Sequence, residues 1–201
     1  SIPTYSGGLG VLAGDILKSA ADLGVPMAGV TLLYRKGYFV QEFNTDDWQR
    51  EKPVQWNPAH ELTLLPNRIL INLQGREIQV GVWVYEIIGA TGYPLPVYFL
   101  DTDFEPNHPD DRKLCLYLYG GDNSYRLCQE FILGVGGLRM LRDLGYMNIE
   151  TFHLNEGHAG FLTLELMREQ GYYDPDKIRE QVVFTTHTPV PAGHDYFEFG
   201  L

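Results

Sequence analysis

The chain has 201 residues, 44% of them hydrophobic, 13% aromatic and 20% charged, a balance that excludes global disorder and is enough to bury a full core without disulfide staples. Lys and Arg number 15 against 26 Asp and Glu, a net charge of −11, which disfavours a general nucleic-acid binder because such affinity comes largely from neutralising phosphates. No apolar run approaches the roughly 20 residues of a membrane span, and no basic-then-apolar leader opens the chain.

Cys115 and Cys128 are spaced for neither a zinc knuckle nor a redox pair, so the expectation is a reduced, cytoplasmic protein. The chain begins at Ser1 rather than Met and stops straight after a motif-rich stretch. Residues 1–201 are therefore read as one incomplete domain of a longer protein.

In chain order, Leu9, Leu12, Ile16, Ala20 and Leu23 recur at threes and fours after Gly7-Gly8 and predict an amphipathic helix closed by Gly24 and Pro26. Met27 to Tyr34 and Tyr38 to Phe43 are β-rich runs around Arg35-Lys36-Gly37, a pattern expected to form a hairpin. Residues 46–60, with Trp48 and Trp56, follow neither period and are read as a loop. Short strands are expected at Glu61–Leu65, Ile69–Leu73, Ile78–Ile88 and Val97–Leu100, broken by Pro66-Asn67, Gln74-Gly75 and Thr91-Gly92-Tyr93-Pro94. That block, around residues 61–100, reads as an antiparallel, β-rich insertion.

After a loop over 101–121, Asn123 to Leu144 is helical, with Leu127, Phe131, Leu138 and Leu141 as its expected buried face. Gly134, Gly136 and Gly137 inside this helix suggest close packing against a neighbour. A strand over Glu150–Leu154, a helix over His158–Gln170, a helical turn at Pro175–Glu180 and a strand over Gln181–Thr186 form a parallel crossover. The fold class is thus α/β.

Ser6-Gly7-Gly8-Leu9-Gly10 runs directly into the first helix, so free backbone N–H groups and the macrodipole favour an anion there, although a glycine pair at a helix start is more often a simple turn. His153-Leu154-Asn155-Glu156-Gly157-His158 and Thr186-His187-Thr188-Pro189, running on to His194-Asp195, follow two strand ends, where ligands of open α/β sheets bind. Asp122, before Asn123, is the residue type of an ordinary N-cap. Asp101, Asp103 and Glu156 are possible glycosidase carboxylates, with nothing in the sequence to fix their separation. Trp48 and Trp56 stack on sugars in one reading and pack on the core in the commoner one.

Taken together these segments resemble the α-glucan (glycogen, starch and maltodextrin) phosphorylases, in their short bacterial and archaeal form. The resemblance rests on Ser6-Gly7-Gly8-Leu9-Gly10 with Ala13-Gly14-Asp15, on Leu33-Tyr34-Arg35-Lys36-Gly37-Tyr38-Phe39, on Tyr125-Arg126-Leu127-Cys128-Gln129-Glu130, and on the two histidine segments, all in the family's order.

The resemblance implies part of the N-terminal Rossmann-like domain of a two-domain glycosyltransferase-B fold, and reversible phosphorolysis of α-1,4-glucan or maltodextrin by inorganic phosphate to glucose 1-phosphate. It implies pyridoxal 5'-phosphate, whose phosphate rather than aldehyde takes part, and whose Schiff-base lysine belongs to a C-terminal domain outside this chain. The 201 residues alone are therefore expected to be inactive, and the full-length protein is a possible homo-oligomer. By the same resemblance Gly7, Gly8 and Leu9 face substrate, with Gly8 near the cofactor phosphate. Asp122 and Asn123 border the glucosyl pocket, His158 lines it, and His187 is the catalytic-site histidine that hydrogen-bonds the transferred glucosyl unit. No metal is implied.

Ser6 and Glu156-Gly157-His158-Ala159 differ from the long animal and plant form, whose allosteric control is not carried over. Three rival readings are weighed: a nucleotide-sugar glucosyltransferase of the glycogen or starch synthase type, a non-catalytic glucan-binding module using Trp48 and Trp56, and a zinc hydrolase using His153, His158, His187 and His194.

Overall fold

A computed structural model describes residues 2–3, 8–171, 173–190 and 195–198; Gly7 and His194 of the candidate site lie outside these. Four strands, β1 (Gly29–Leu32), β4 (Thr63–Leu73), β5 (Arg76–Ile88) and β6 (Pro94–Asp101), form a sheet ordered β1-β6-β5-β4. β4, β5 and β6 are antiparallel neighbours, and β1 joins β6 in parallel, Gly29 opposite Val97 and Leu32 opposite Leu100. The block over residues 61–100 thus shares one sheet with β1.

The two-residue period of a strand sorts the core onto two faces. Leu95 and Val97, with Phe99, turn to helix α1 (Gly8–Leu23) and meet Leu17, Ala20 and Ala21. Tyr98 and Leu100 on β6, with Ile78, Val80 and Val82 on β5, turn to the larger core with Ile132, Leu138, Met140, Leu154 and Leu166.

The turns follow from residue type. Gln74 and Gly75 both have positive φ, 52° and 75°, as a two-residue hairpin requires, and glycine takes that conformation without strain. Pro66 does not break β4; it sits in an irregularity of register between Leu64 and Arg68 on an edge strand, where a missing N–H is tolerated.

Further expectations are corrected. Met27–Tyr34 and Tyr38–Phe43 do not form a hairpin, because β1 pairs with β6 while β2 (Phe39–Phe43) pairs antiparallel with β3 (Gln49–Pro53), inside the segment expected to be a loop. The Asn44 side chain accepts from the N–H groups of Asp46 and Trp48 and closes that turn. The buried face of α1 is Leu17, Ala20 and Ala21, whereas Leu12 and Ile16 are 41% exposed and Leu23 80%. In the long helix, Leu127 and Phe131 are only half-buried and the core is reached by Cys128, Ile132 and Val135.

That helix is α2 (Asn123–Phe131), a π-helical turn over Ile132–Gly136, and α3 (Gly137–Asp143). Gly134 fulfils the close-packing expectation: a Cβ there would lie 2.6 Å from the backbone nitrogen of Leu162, at the start of α4 (Leu162–Gln170). β7 (Phe152–Asn155) then leads through α4 and α5 (Pro175–Gln181) to β8 (Val182–Thr185), parallel to β7 as expected from the crossover. Cys115 and Cys128 are both free and buried, and burial pushes the Cys115 thiol up to about 12, which leaves it a protonated core residue.

Candidate active site

β7 alternates buried and exposed: Phe152 and Leu154 enter the core, while His153 and Asn155 face outward. The chain continues past the strand's carboxyl end at Glu156, whose φ of 67° and ψ of −175° form a conformation rare for a residue with a side chain. Such strain persists only where surrounding bonds over-determine it. Here the Glu156 N–H donates to the carbonyl of Thr185 at 2.9 Å. Its carboxylate accepts from the His187 N–H at 2.6 Å and from the Thr188 and Thr186 hydroxyls at 3.0 and 3.4 Å. The His187 N–H, followed by the Thr188 hydroxyl, holds this carboxyl below its ordinary pKa against the opposing effect of burial. Glu156 therefore ties the segment after β8 to the end of β7 as an anion.

His187 is brought to Asn155 by the same tie. Its Nε2 lies 2.7 Å from the Asn155 Oδ1, and because that oxygen can only accept, Nε2 is the donor and Nδ1 the nitrogen left over. His153 Nε2 is engaged separately, 2.7 Å from the Thr185 hydroxyl across the β7–β8 pair. The four-histidine zinc reading finds no support among the described residues, since His153 and His187 are bonded to different partners.

His158 follows in a 3₁₀ turn (Gly157–Ala159). Its Nδ1 lies 3.9 Å from Glu130 Oε1 on α2 and 3.8 Å from Asp195 Oδ2. Arg126, one turn before Glu130, pairs with Asp195. Glu130, foremost, raises the imidazole pKa, against some opposition from burial, and Asp195 adds to the effect; burial in turn pushes the Glu130 carboxyl up. Glu130, His158 and Asp195 offer ligand atoms within 4.8 Å of one another, but the guanidinium already neutralises one carboxylate.

Asp122 caps α2 as its residue type suggested, its carboxylate accepting from the Tyr125 N–H at 2.9 Å, and Asn123 is exposed beside it. Asp122, Arg126 and Glu130 are spaced by four, so one face of α2 carries the Asp122-Asn123 corner and the partners of His158. Gly8 and Leu9 open α1. Trp56 is a packing residue whose Nε1 donates to the Tyr34 carbonyl at 3.2 Å, whereas Trp48 is 75% exposed on the β2–β3 hairpin. A cavity of about 210 Å³ between the β4–β5 turn and α2, lined by Leu73, Leu127, Cys128 and Phe131 among others, contains none of the expected site residues.

The sequence reading did not give Asn155, Glu130 or Arg126 a role. All three stand inside the motifs it quoted, but their contacts arise only when β8 lies beside β7 and α2 beside the 3₁₀ turn. Asp101 is another matter: it is 1% exposed, bound by the two Arg35 guanidinium nitrogens at 2.9 and 2.6 Å and by Trp83 Nε1 at 3.0 Å. Burial pushes that carboxyl up and Arg35 outweighs it, for a net lowering. Asp101 is a fastener between β6 and the segment after β1, not half of a glycosidase pair.

The architecture is an α/β protein with a polar loop cluster at the carboxyl ends of two adjacent parallel strands, the position at which α/β proteins bind ligands. A family model for carbohydrate phosphorylases matches residues 5–77. The maltodextrin phosphorylase of Thermococcus litoralis is 42% identical over 209 residues, covering 98% of this chain and 24% of that protein. The glycogen phosphorylase of Mycobacterium tuberculosis is 42% identical over 221 residues with the same coverage, and that of Aquifex aeolicus 33% identical over 214 residues, 98% of this chain and 30% of its own. Over 98% of its length the chain is similar to carbohydrate phosphorylases. It spans about a quarter of the length of the first two of these relatives.

Proposed function

We propose that this chain is part of the N-terminal Rossmann-like domain of a two-domain glycosyltransferase-B protein, with residues 61–100 as its β-rich elaboration. In this reading the intact protein is an α-1,4-glucan phosphorylase. It moves the non-reducing terminal glucosyl unit of a glucan or maltodextrin to inorganic phosphate, with glucose 1-phosphate and a glucan one unit shorter as products. The observation that carries the reading is the meeting of His187, Asn155 and Glu156 beyond the β7 and β8 carboxyl ends. The similarity to maltodextrin and glycogen phosphorylases supports it.

His187 hydrogen-bonds the transferred glucosyl unit, its ring fixed by Asn155 and its backbone by Glu156. His158 lines the pocket, Asp122 and Asn123 border it from the N-terminus of α2, and Gly7, Gly8 and Leu9 present the backbone at the start of α1 to phosphate and sugar, Gly8 nearest the cofactor phosphate. In this reaction the C1–oxygen bond to the leaving glucan breaks, the glycosidic oxygen takes a proton, and a phosphate oxygen bonds to C1. The protein groups hold and orient the sugar while charge develops.

Pyridoxal phosphate supplies the phosphate group that works beside the substrate phosphate in this family, but the described residues do not fit its covalent anchor. Lys36 lies over the Tyr117 ring, Lys52 pairs with Glu42, Lys113 with Asp110 and Lys177 with Asp174. In this reading the anchoring lysine lies outside these 201 residues, and the chain alone is expected to be inactive.

The test is glucose 1-phosphate release by the intact protein from maltoheptaose and phosphate, with and without added pyridoxal phosphate. Release that requires both phosphate and the cofactor supports the reading. Glucosyl transfer only from a nucleotide sugar would replace it with the synthase reading, and glucan binding without any transfer with the binding-module reading.

A further inference from the structure

We propose that Glu130, backed by Asp195 and Arg126, is a positioning residue for His158, turning its Nδ1 to the carboxylates and holding the ring as an imidazolium whose Nε2 N–H is presented to the glucosyl pocket. The proposal rests on the phosphorylase reading for the identity of that pocket, and on charge and geometry for everything else. Glu130 and Asp195 have side chains only 11% and 18% exposed, and both lie within 4 Å of the same nitrogen. Arg126 pairs with Asp195, and Glu130 pairs with no Lys or Arg among the described residues. Two half-hidden carboxylates therefore share one guanidinium, and the imidazole is the remaining cation.

The groups facing His158 are Arg126 and Glu130 from α2 and Asp195 from the segment after β8. On its own loop, Glu156 is committed to His187 and Thr188. The raised imidazole pKa has this origin, Glu130 first.

The consequence concerns the kind of contact His158 makes. A neutral imidazole that sends its Nδ1 N–H to the carboxylates presents Nε2 as an acceptor, whereas an imidazolium donates from both nitrogens. The carboxylate pair thus sets His158, whose side chain is 44% exposed, as a donor toward a sugar hydroxyl or a phosphate oxygen. Because the pKa is raised, that donor persists to higher pH than in an unperturbed imidazole and is lost as pH rises through the raised value.

The experiment is carbethoxylation of His158 by diethyl pyrocarbonate, which attacks only neutral imidazole, followed across pH by peptide mass mapping on the intact protein. The exposed His60 serves as the reference for reagent and fold. In the unaltered protein the His158 midpoint is expected above the ordinary value of about 6.5. Glu130→Gln, which keeps the side-chain shape, lowers it by about one pH unit, and Asp195→Asn, which leaves Glu130 in place, lowers it less. The alkaline limb of glucose 1-phosphate release moves down with the midpoint in Glu130→Gln. A His158 midpoint unchanged in both variants, or a midpoint that moves while the activity limb does not, overturns the positioning role. Absence of release by the unaltered protein at every pH overturns the phosphorylase reading, and the midpoint still decides the charge of His158.

Discussion

Asp101 shows how a single carboxylate can look like chemistry and serve the fold. Its carboxyl is almost fully enclosed and held by Arg35 and Trp83, so Arg35→Met leaves a buried charge without its partner. The expected loss is about 3–5 kcal/mol of unfolding free energy, read as a lower denaturant midpoint. The pH dependence has a definite sign. Asp101 and Glu165 are buried, which raises a carboxyl pKa, but Arg35 in one case and Arg139 with Arg168 in the other bring the net below the ordinary value. Their contribution is therefore complete above the unfolded carboxylate pKa, near 4, and is lost as pH falls through the depressed folded values. Denaturation midpoints measured from pH 7 to pH 3 should hold steady and then drop, and the drop should be shallower in Arg35→Met. Asn155→Ala removes the acceptor of His187 Nε2; it should lower glucose 1-phosphate release by about ten- to a hundredfold while leaving the unfolding midpoint nearly unchanged.

At the scale of elements, the π-helical turn between α2 and α3 brings Gly134 against the start of α4. Gly134→Ala would place a methyl group into backbone that cannot rotate away, at an expected cost of about 1–3 kcal/mol, again read from the unfolding midpoint. This contact was legible from the glycines alone, because three of them in a helical pattern cost stability unless something needs the room. That α1, the long helix, the strands around 61–100 and the β7–β8 crossover exist was legible because their apolar periods are local, although α1 and the first half of the long helix bury other positions than the period marked. The β2–β3 hairpin was not. Gln49–Pro53 is exposed at every position and carries no apolar alternation, so only the Asn44 turn speaks for it. β1 was mispaired because its partner, β6, comes after the entire antiparallel block, and pairing at that distance leaves no trace in a local window. The motifs of the candidate site were legible as quoted strings. Their bonds, Glu156 to His187 and Glu130 to His158, were not, because they depend on which elements the fold sets side by side.

For the molecule as a whole, the sheet divides two unequal cores, and the smaller one leaves α1 partly uncovered. Val11, Leu12 and Ile16 are 50%, 41% and 41% exposed, an apolar face beside the glycine-rich start of the helix. The 201-residue chain on its own is accordingly expected to self-associate, with light-scattering mass rising with concentration; a concentration-independent monomer would show that this face is tolerated in water. Under the proposed function the intact protein is a phosphorylase whose sugar is held by residues from this chain and whose cofactor is covalently anchored elsewhere. The claim at the centre of that account is that His187 touches the transferred glucosyl unit. It is tested most directly by phosphate-dependent glucose 1-phosphate release from maltoheptaose in the intact His187→Ala variant, beside the unaltered protein and with unfolding midpoints matched. The account predicts a fall in kcat/KM of about a hundredfold or more. Release at the unaltered rate would contradict it.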